Sequence, residues 1–331
     1  MVHEMRHVSS MKMAEDVVVK DAVGFEDPES TNGEDSLSTE EVAFFKENGF
    51  IVKRGFLDEP EAFNRIVEYV WENAPRGLFT REEPATWQGS PKDRWTEEDS
   101  ERVGQIQGNS WKMRSREGIG TEPFFLDKIA NHPKMRSMVS RFIGEPIKLA
   151  KRVRGVYCQF PDVPGTKGRL SPHADYTAGQ MTAMVFVDDV PPRCGGFTVW
   201  PGSHRRLHPF WESIQSGAID ASQGPEYAKA RDDVVNTVTP VEFSGRAGDV
   251  IFWHPRLLHS AGINHSASFD RQILRLIVPC DFQLDGRDFF DDLVHGPGPN
   301  HQWWVDTRHF HGDTPTTPNN LWEGWVFNTD T

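Results

Sequence analysis

The stretch Met-Thr-Ala-Met-Val-Phe-Val-Asp-Asp-Val (181–190), with Gly-Gly-Phe-Thr-Val-Trp-Pro-Gly-Ser-His (195–204) just beyond it, decides the fold class. Each part is a short apolar run, rich in β-branched and aromatic residues, closed by Asp, Pro or Gly. That is the pattern of brief strands joined by tight turns. The pattern recurs at Ile147–Ala150, Gly155–Phe160, Val250–Trp253 and Ile273–Val278. Many short strands of this kind predict a β-sandwich or jelly roll.

Upstream the periodicity is helical. Ser38-Thr-Glu-Glu41 has the form of a capping box, Val42, Phe44 and Phe45 give the next turns an apolar side, and Asn48-Gly49 is a stop. Phe50–Val52 reads as a short strand, Glu61–Trp71 as a second helix, and residues 122–143 as further helix ending at Gly144-Glu-Pro146. Residues from Pro75 to Gly120 show little period and are expected to form a long ordered loop, because Trp87, Trp95 and Trp111 are costly to leave in water. The expected class is therefore mainly β with flanking helices (α+β). Residues 1–36 read as a disordered tail and 37–284 as one domain, helical to about 145, with a β core over 147–284 interrupted by an insertion at 206–240. Residues 285–331 read as a Trp-rich extension pinned to the domain by Trp303, Trp304, Trp322 and Trp325.

Composition excludes whole classes. The 331 residues are 37% hydrophobic, 11% aromatic and 26% charged, an ordinary globular balance. With Lys plus Arg at 36 and Asp plus Glu at 49, the formal charge is −13, against a general nucleic-acid or anionic-membrane binder. No window reaches the ~18 apolar residues of a spanning helix, and neither end carries a secretory or retention signal. The three cysteines, Cys158, Cys194 and Cys280, have no zinc or redox spacing, so a reducing cytoplasmic setting is expected.

Chemistry concentrates in the histidines. In His173-Ala-Asp175, residues i and i+2 present their side chains to the same side of an extended segment. An imidazole nitrogen and a carboxylate oxygen can then reach one ion, and a histidine from a distant strand completes a two-His-one-carboxylate face. Such a face leaves three positions open on an octahedral ion, as in non-haem iron(II) oxygenases. Trp253-His-Pro-Arg-Leu-Leu-His259 offers two candidates for the third ligand, His254 and His259. Arg271, before the last β run, has the chemistry to grip a carboxylate in bidentate fashion. Arg275 shares its strand face and is either a second pocket arginine or a structural one paired with an acid.

Taken together, the motifs resemble the phytanoyl-CoA dioxygenase family of iron(II)- and 2-oxoglutarate-dependent oxygenases. The likeness spans about residues 38–282. It runs through Glu-Asn-Gly-Phe-Ile-Val (47–52), His-x-Asp (173–175), Val-Phe-Val-Asp-Asp-Val (185–190), the 195–204 run, Gly-Asp-Val-Ile-Phe-Trp-His (248–254) and His-Ser-Ala-Gly-Ile-Asn (259–264). The resemblance implies a double-stranded β-helix, the jelly-roll or cupin-like core. It implies His173, Asp175 and His259 as iron ligands, Arg271 as the anchor of 2-oxoglutarate, one residue later than the family spacing, and Thr182 as a cosubstrate contact. It also implies Fe(II), 2-oxoglutarate and O2 as cofactor and cosubstrates, with succinate and CO2 released. Because Asp175 is not Gly or Ala, hydroxylation of a C–H bond is the default over halogenation.

The remaining candidates have plainer readings beside the functional ones. Tyr157 and Gln159 share a strand face and either line the pocket, Gln159 touching the cosubstrate, or point outward. Trp111, Tyr176 and Trp200 are placed as pocket walls, although aromatics at such positions are more often core. His204 follows a Pro-Gly turn and reads as structural. Lys151-Arg-Val-Arg154 reads as a solvated strand edge that could also guide an anion. Besides Lys151–Arg154 and Arg205-Arg206 no basic cluster offers the phosphates of a CoA thioester a place, so a small-molecule substrate is expected, a carboxylated one among the options. Two other classes stand against this reading: a cupin-type metalloenzyme without 2-oxoglutarate, and a silent binding protein of the same fold.

Overall fold

Ser38 and Glu41 start the first helix as a reciprocal pair: the Ser38 hydroxyl accepts from the Glu41 N–H, and the Glu41 carboxylate accepts from the Ser38 N–H. The helix, α1 (Thr39–Asn48), ends at Gly49, whose φ of 87° is left-handed. Close approach is a second reason for glycine there, since a Cβ would sit 2.5 Å from His204 Nδ1. The computed structural model describes residues 13, 17–27, 34–115, 118–175, 179–210, 225–269, 272–285 and 316–330.

The strands are β1 (Val23–Gly24), β2 (Phe50–Lys53), β3 (Gly104–Gln107), β4 (Ser110–Met113), β5 (Val156–Gln159), β6 (Met181–Phe186), β7 (Phe197–Val199), β8 (Val241–Glu242), β9 (Val250–Trp253), β10 (His259–Ala261) and β11 (Arg275–Phe282). Among the described residues they form a larger sheet, β2-β9-β6-β11-β5-β4-β3, and a smaller one, β1-β8-β7-β10. Every pairing is antiparallel except β1 with β8. Two layers of largely antiparallel strands with flanking helices make the α+β jelly roll that the strand pattern predicts.

Register explains the interior. Lys112 lies opposite Tyr157, which lies opposite Ile277, and Ser110 opposite Gln159, which lies opposite Arg275. Thr182 lies between Trp253 and Asp281. Directly paired residues share a face, so all of these point toward the smaller sheet. Their neighbours Trp111, Cys158, Leu276, Ala183 and Phe252 point the other way and are buried against helices α2 (Pro60–Asn73) and α5 (Pro133–Ile143). Two shorter helices, α3 (Glu97–Val103) and α4 (Pro123–Phe125), lie between α2 and α5 in the chain. On the inner face, Phe50, Met184, Phe186 and Trp253 pack on Phe197 and Phe243. The interior of the roll is thus apolar at the β2-β9-β6 end and polar at the β4-β5 end.

Several expectations are corrected. The supposed loop over 75–120 contains the hairpin β3–β4, turned at Gly108 with φ 58°. Ile147–Ala150 is not a strand; its only ladder contact among the described residues is the single bridge Ile147–Leu284. Residues 17–25, read as tail, lie on the domain: the Val18 N–H donates to Asn236 Oδ1, β1 pairs with β8, and Phe25 packs on Phe50 and Phe243. A Val-Val-Val run followed by Ala22 and Phe25 supplies enough apolar surface to outweigh the flanking charges. The segment read as an insertion, 206–240, begins within α6 (Ser203–Leu207) and carries α7 (Pro225–Thr237). Of the C-terminal segment, Trp322, Trp325 and Phe327 pack on Phe45 of α1. Trp303 and Trp304 lie outside the described residues.

Candidate metal centre

His173 and His259 come together by backbone pairing. The His173 N–H donates to the His259 carbonyl at 3.0 Å and the His259 N–H to the His173 carbonyl at 2.8 Å, a lone antiparallel bridge at the open edge of β10. The two rings then stand side by side, centroids 4.4 Å apart. Asp175, two residues after His173, projects to the same side. Its Oδ1 lies 4.0 Å from His173 Nε2 and its Oδ2 3.7 Å from His259 Nε2. One donor atom from each residue lies within 4.8 Å of the others.

The protonation states suit a metal. His173 Nδ1 lies 2.7 Å from the Ser171 carbonyl and His259 Nδ1 2.9 Å from that of Leu257. A carbonyl only accepts, so each Nδ1 carries the proton and each Nε2 keeps its lone pair facing Asp175. Burial lowers the pKa of both rings, that of His259 to about 4, and leaves them neutral near pH 7. Burial would raise the Asp175 pKa, but Arg154, His259 and His173 hold it far below the usual carboxylate range. Two neutral imidazole nitrogens and one carboxylate are the donor set that iron(II) takes in an open three-ligand site. His254 is not part of it. It is buried and stacks on Trp325 at 5.3 Å and 16°.

Around this triad the polar half of the interior is strongly charged. Arg154, 5% exposed, forks onto Asp281 through Nε and Nη2 and reaches Asp175 through Nη1. Burial alone would lower its pKa, yet Asp281 and Asp175 raise it well above the ordinary value. Lys112 lies with Nζ 5.6 Å from the Tyr157 ring centre and, among the described residues, has no hydrogen bond or ion pair. Burial lowers its pKa, and that of Arg114, which bonds Tyr157. Thr182 is wholly buried on the inner face, and its hydroxyl has no partner among the described residues. Trp253 Nε1, opposite it, is likewise unpartnered. The unmet donors of Thr182 and Trp253, with the Lys112 ammonium nearby, fit a bound dianion such as 2-oxoglutarate.

The other sequence candidates divide. Tyr157 and Gln159 face inward, and Gln159 Oε1 accepts from the Ser110 hydroxyl. Arg275 also faces inward but is committed: Nε donates to the Gly195 carbonyl and Nη1 to that of Tyr157, which makes it structural. Its hydrogen-bond partners among the described residues are carbonyls, and the acid Glu242 acts on it through charge rather than a direct bond. Trp111 is not a pocket wall. It lies on the helix side of the sheet with Nε1 bonded to the Val103 carbonyl. Trp200 also fails as a wall, because it packs on Leu207, Tyr227 and Leu258 outside the roll. Arg271 and Tyr176 lie outside the described residues. His204 is structural, buried with Nε2 3.2 Å from the Lys46 carbonyl. Sequence reasoning missed Lys112, Arg114 and Asp281, and misread Arg154 as exposed. A signal existed: Gly108-Asn109 between alternating Ile106, Trp111 and Met113 is hairpin chemistry, which would have put Lys112 inward.

Fold and candidate donor set are those of a double-stranded β-helix oxygenase with an open iron(II) site. More particularly, residues 45–273 match the family model described as Phytanoyl-CoA dioxygenase (PhyH), and the chain belongs to that family. No curated protein matches the sequence. Solved structures similar to it include the non-haem alpha ketoglutarate dependent carbocyclase SnoK from nogalamycin biosynthesis, at 23% identity over 73% of this chain and 82% of that one, with a TM-score of 0.42. The epimerase SnoN in complex with Fe3+, alpha ketoglutarate and nogalamycin RO is 21% identical over 82% and 90%, with a TM-score of 0.42. EctD from S. alaskensis in its apoform is 16% identical over 87% and 89%, with a TM-score of 0.47.

Proposed function

We propose that this chain hydroxylates an unactivated C–H bond of a small, carboxylated metabolite, with His173, Asp175 and His259 as the iron ligands. The observation that carries the reading is the meeting of these three side chains, from two segments, with both Nε2 lone pairs and one carboxylate converging. Bound there, iron(II) with 2-oxoglutarate and O2 supplies the oxidising power, and succinate and CO2 leave.

The chain's own residues bind and orient. Thr182 donates its unmet hydroxyl to a cosubstrate carboxylate, Arg271 grips the distal carboxylate, and Gln159 lines the same wall. Ser171 and Leu257 hold the two rings by their Nδ1 protons. Phe197 and Trp253, at ring distances of 5.4 and 5.9 Å from His259, wall that side with apolar surface and keep water from it. Among the described residues, Lys112 and Arg114 add positive charge that Asp175 and Asp281 do not cancel once Arg154 is counted. This surplus favours a substrate with its own carboxylate, and Tyr157 stands beside it as a lining residue. The buried Cys158, Cys194 and Cys280 are thiols rather than disulfides, which suits the reducing cytoplasm where we place the enzyme.

The test is turnover with a panel of small carboxylic acids beside their methyl esters and amides, following succinate and a 16-dalton gain in product mass. The reading expects coupled succinate and hydroxylated product from some free acids and none from their neutral partners. Equal turnover of acids and esters would overturn the carboxylate, and a desaturated product would overturn hydroxylation.

A further inference from the structure

We propose that Arg154 is a positioning residue that, by holding Asp175 Oδ2, disfavours chelation through both carboxylate oxygens and so preserves the open positions that cosubstrate and O2 require. The inference rests on the reading of His173, Asp175 and His259 as a metal site. A carboxylate with both oxygens free can chelate an ion through both and occupy an extra position. Here Oδ2, which also lies 3.7 Å from His259 Nε2, accepts from Arg154 Nη1 at 2.5 Å, so one of its two lone pairs is engaged and its charge is partly neutralised. The opposite oxygen, Oδ1, is the one left beside His173.

Arg154 is not free to let go. Its Nε and Nη2 lie 2.6 and 2.5 Å from the two oxygens of Asp281, the bidentate fork that a guanidinium matches and an ammonium does not. Asp281 is fixed in turn, accepting from the Gly179 N–H at 3.0 Å from its place on β11. The backbone is fixed as well. The Arg154 N–H donates to the Pro279 carbonyl at 3.2 Å. Gly155, at φ 89°, passes so near β4 that a Cβ would lie 2.0 Å from the Met113 carbonyl oxygen. The guanidinium is therefore held from one side by Asp281 and presents a single N–H to Asp175. Its charge also draws electron density from that carboxylate and makes it a weaker ligand than a free one.

The experiment uses the full chain and variants Arg154→Met, Arg154→Lys and the double variant Arg154→Met/Asp281→Leu, which removes both members of the buried pair. Affinity for Mn(II) is read from the electron paramagnetic resonance of the free ion, and affinity for 2-oxoglutarate by calorimetry on the Mn(II)-loaded protein. Expected are Mn(II) binding at least as tight as wild type and 2-oxoglutarate binding weakened about tenfold or more in both methionine variants. Lysine should restore part of the 2-oxoglutarate affinity, because it can still donate to Oδ2. Loss of Mn(II) binding to the level of Asp175→Ala would overturn the proposal and make Arg154 a builder of the pocket. Unchanged binding of both would overturn it too. Should Arg154→Met not fold, the lysine and double variants give the same readouts. Wild type without Mn(II) binding would overturn the metal-site reading itself, a result distinct from either failure of Arg154.

Discussion

Replacing Thr182 by valine should stabilise the metal-free protein and at the same time loosen its hold on 2-oxoglutarate. Thr182 sits in the middle of the larger sheet, fully buried, and its hydroxyl has no partner among the described residues. A buried hydroxyl left unpaired costs roughly 1–3 kcal/mol. Valine keeps the branched shape and the strand preference, so packing is unchanged and the cost is relieved. The expected gain is about 1–2 kcal/mol, a rise of roughly 2 °C or more in the melting temperature. Binding moves the other way. A hydroxyl donating to a carboxylate contributes about 1.5–3 kcal/mol, so its loss should weaken 2-oxoglutarate by about 10- to 100-fold. Scanning calorimetry of the metal-free protein gives the first quantity, and titration of 2-oxoglutarate into the Mn(II)-loaded protein the second. A valine variant that melts lower and binds 2-oxoglutarate as before would refute the reasoning, since the hydroxyl would then serve the fold and not the ligand.

Lys53→Met should cost about 3 kcal/mol in a urea titration, because Lys53 is wholly buried with Nζ 2.5 Å from Glu41 Oε1 and the variant leaves that charge buried with, among the described residues, only the Ser38 N–H as partner; an unmoved midpoint would mean the pair contributes nothing net. Acid should destabilise the metal-free protein from about pH 6.5 downward. His204 is pushed down to about 3 by burial, and burial lowers His254 as well, so the unfolded chain takes up protons that the fold refuses. The stability from keeping a ring neutral is whole above pH 6.5 and falls by about 1.4 kcal/mol per pH unit per histidine as pH drops toward the folded pKa. His204→Gln should flatten the slope measured from urea midpoints at pH 7, 6 and 5, and an unchanged slope would count against the assignment. Trp325→Ala should cost roughly 3 kcal/mol and let the His254 pKa, followed by NMR, rise toward 6.5, since Trp325 stacks on that ring.

The parts legible in the sequence are those where one residue type is forced by one local interaction. The capping box at Ser38 and the stop at Gly49 follow from backbone groups that need partners, and the β core follows from short apolar runs. The His173-x-Asp175 pair was legible because period-two spacing fixes a common side. What stayed hidden depends on partners far apart in the chain. Arg154 looks like one more surface charge until β11 brings Asp281 to it across 127 residues. Trp111 and Lys112 are neighbours in sequence, yet they face opposite sides of the sheet, and the hairpin that decides which faces inward was read as a loop. Arg275 shows the same limit: parity placed it inward, but only the fold supplies the Gly195 and Tyr157 carbonyls that occupy it.

Anaerobic addition of iron(II) and 2-oxoglutarate to the purified protein, followed by visible absorbance, tests the central claim most directly. Wild type should show a metal-to-ligand charge-transfer band that is lost in Asp175→Ala and weakened in Arg271→Ala. One bound metal per chain with no such band on adding 2-oxoglutarate would contradict it.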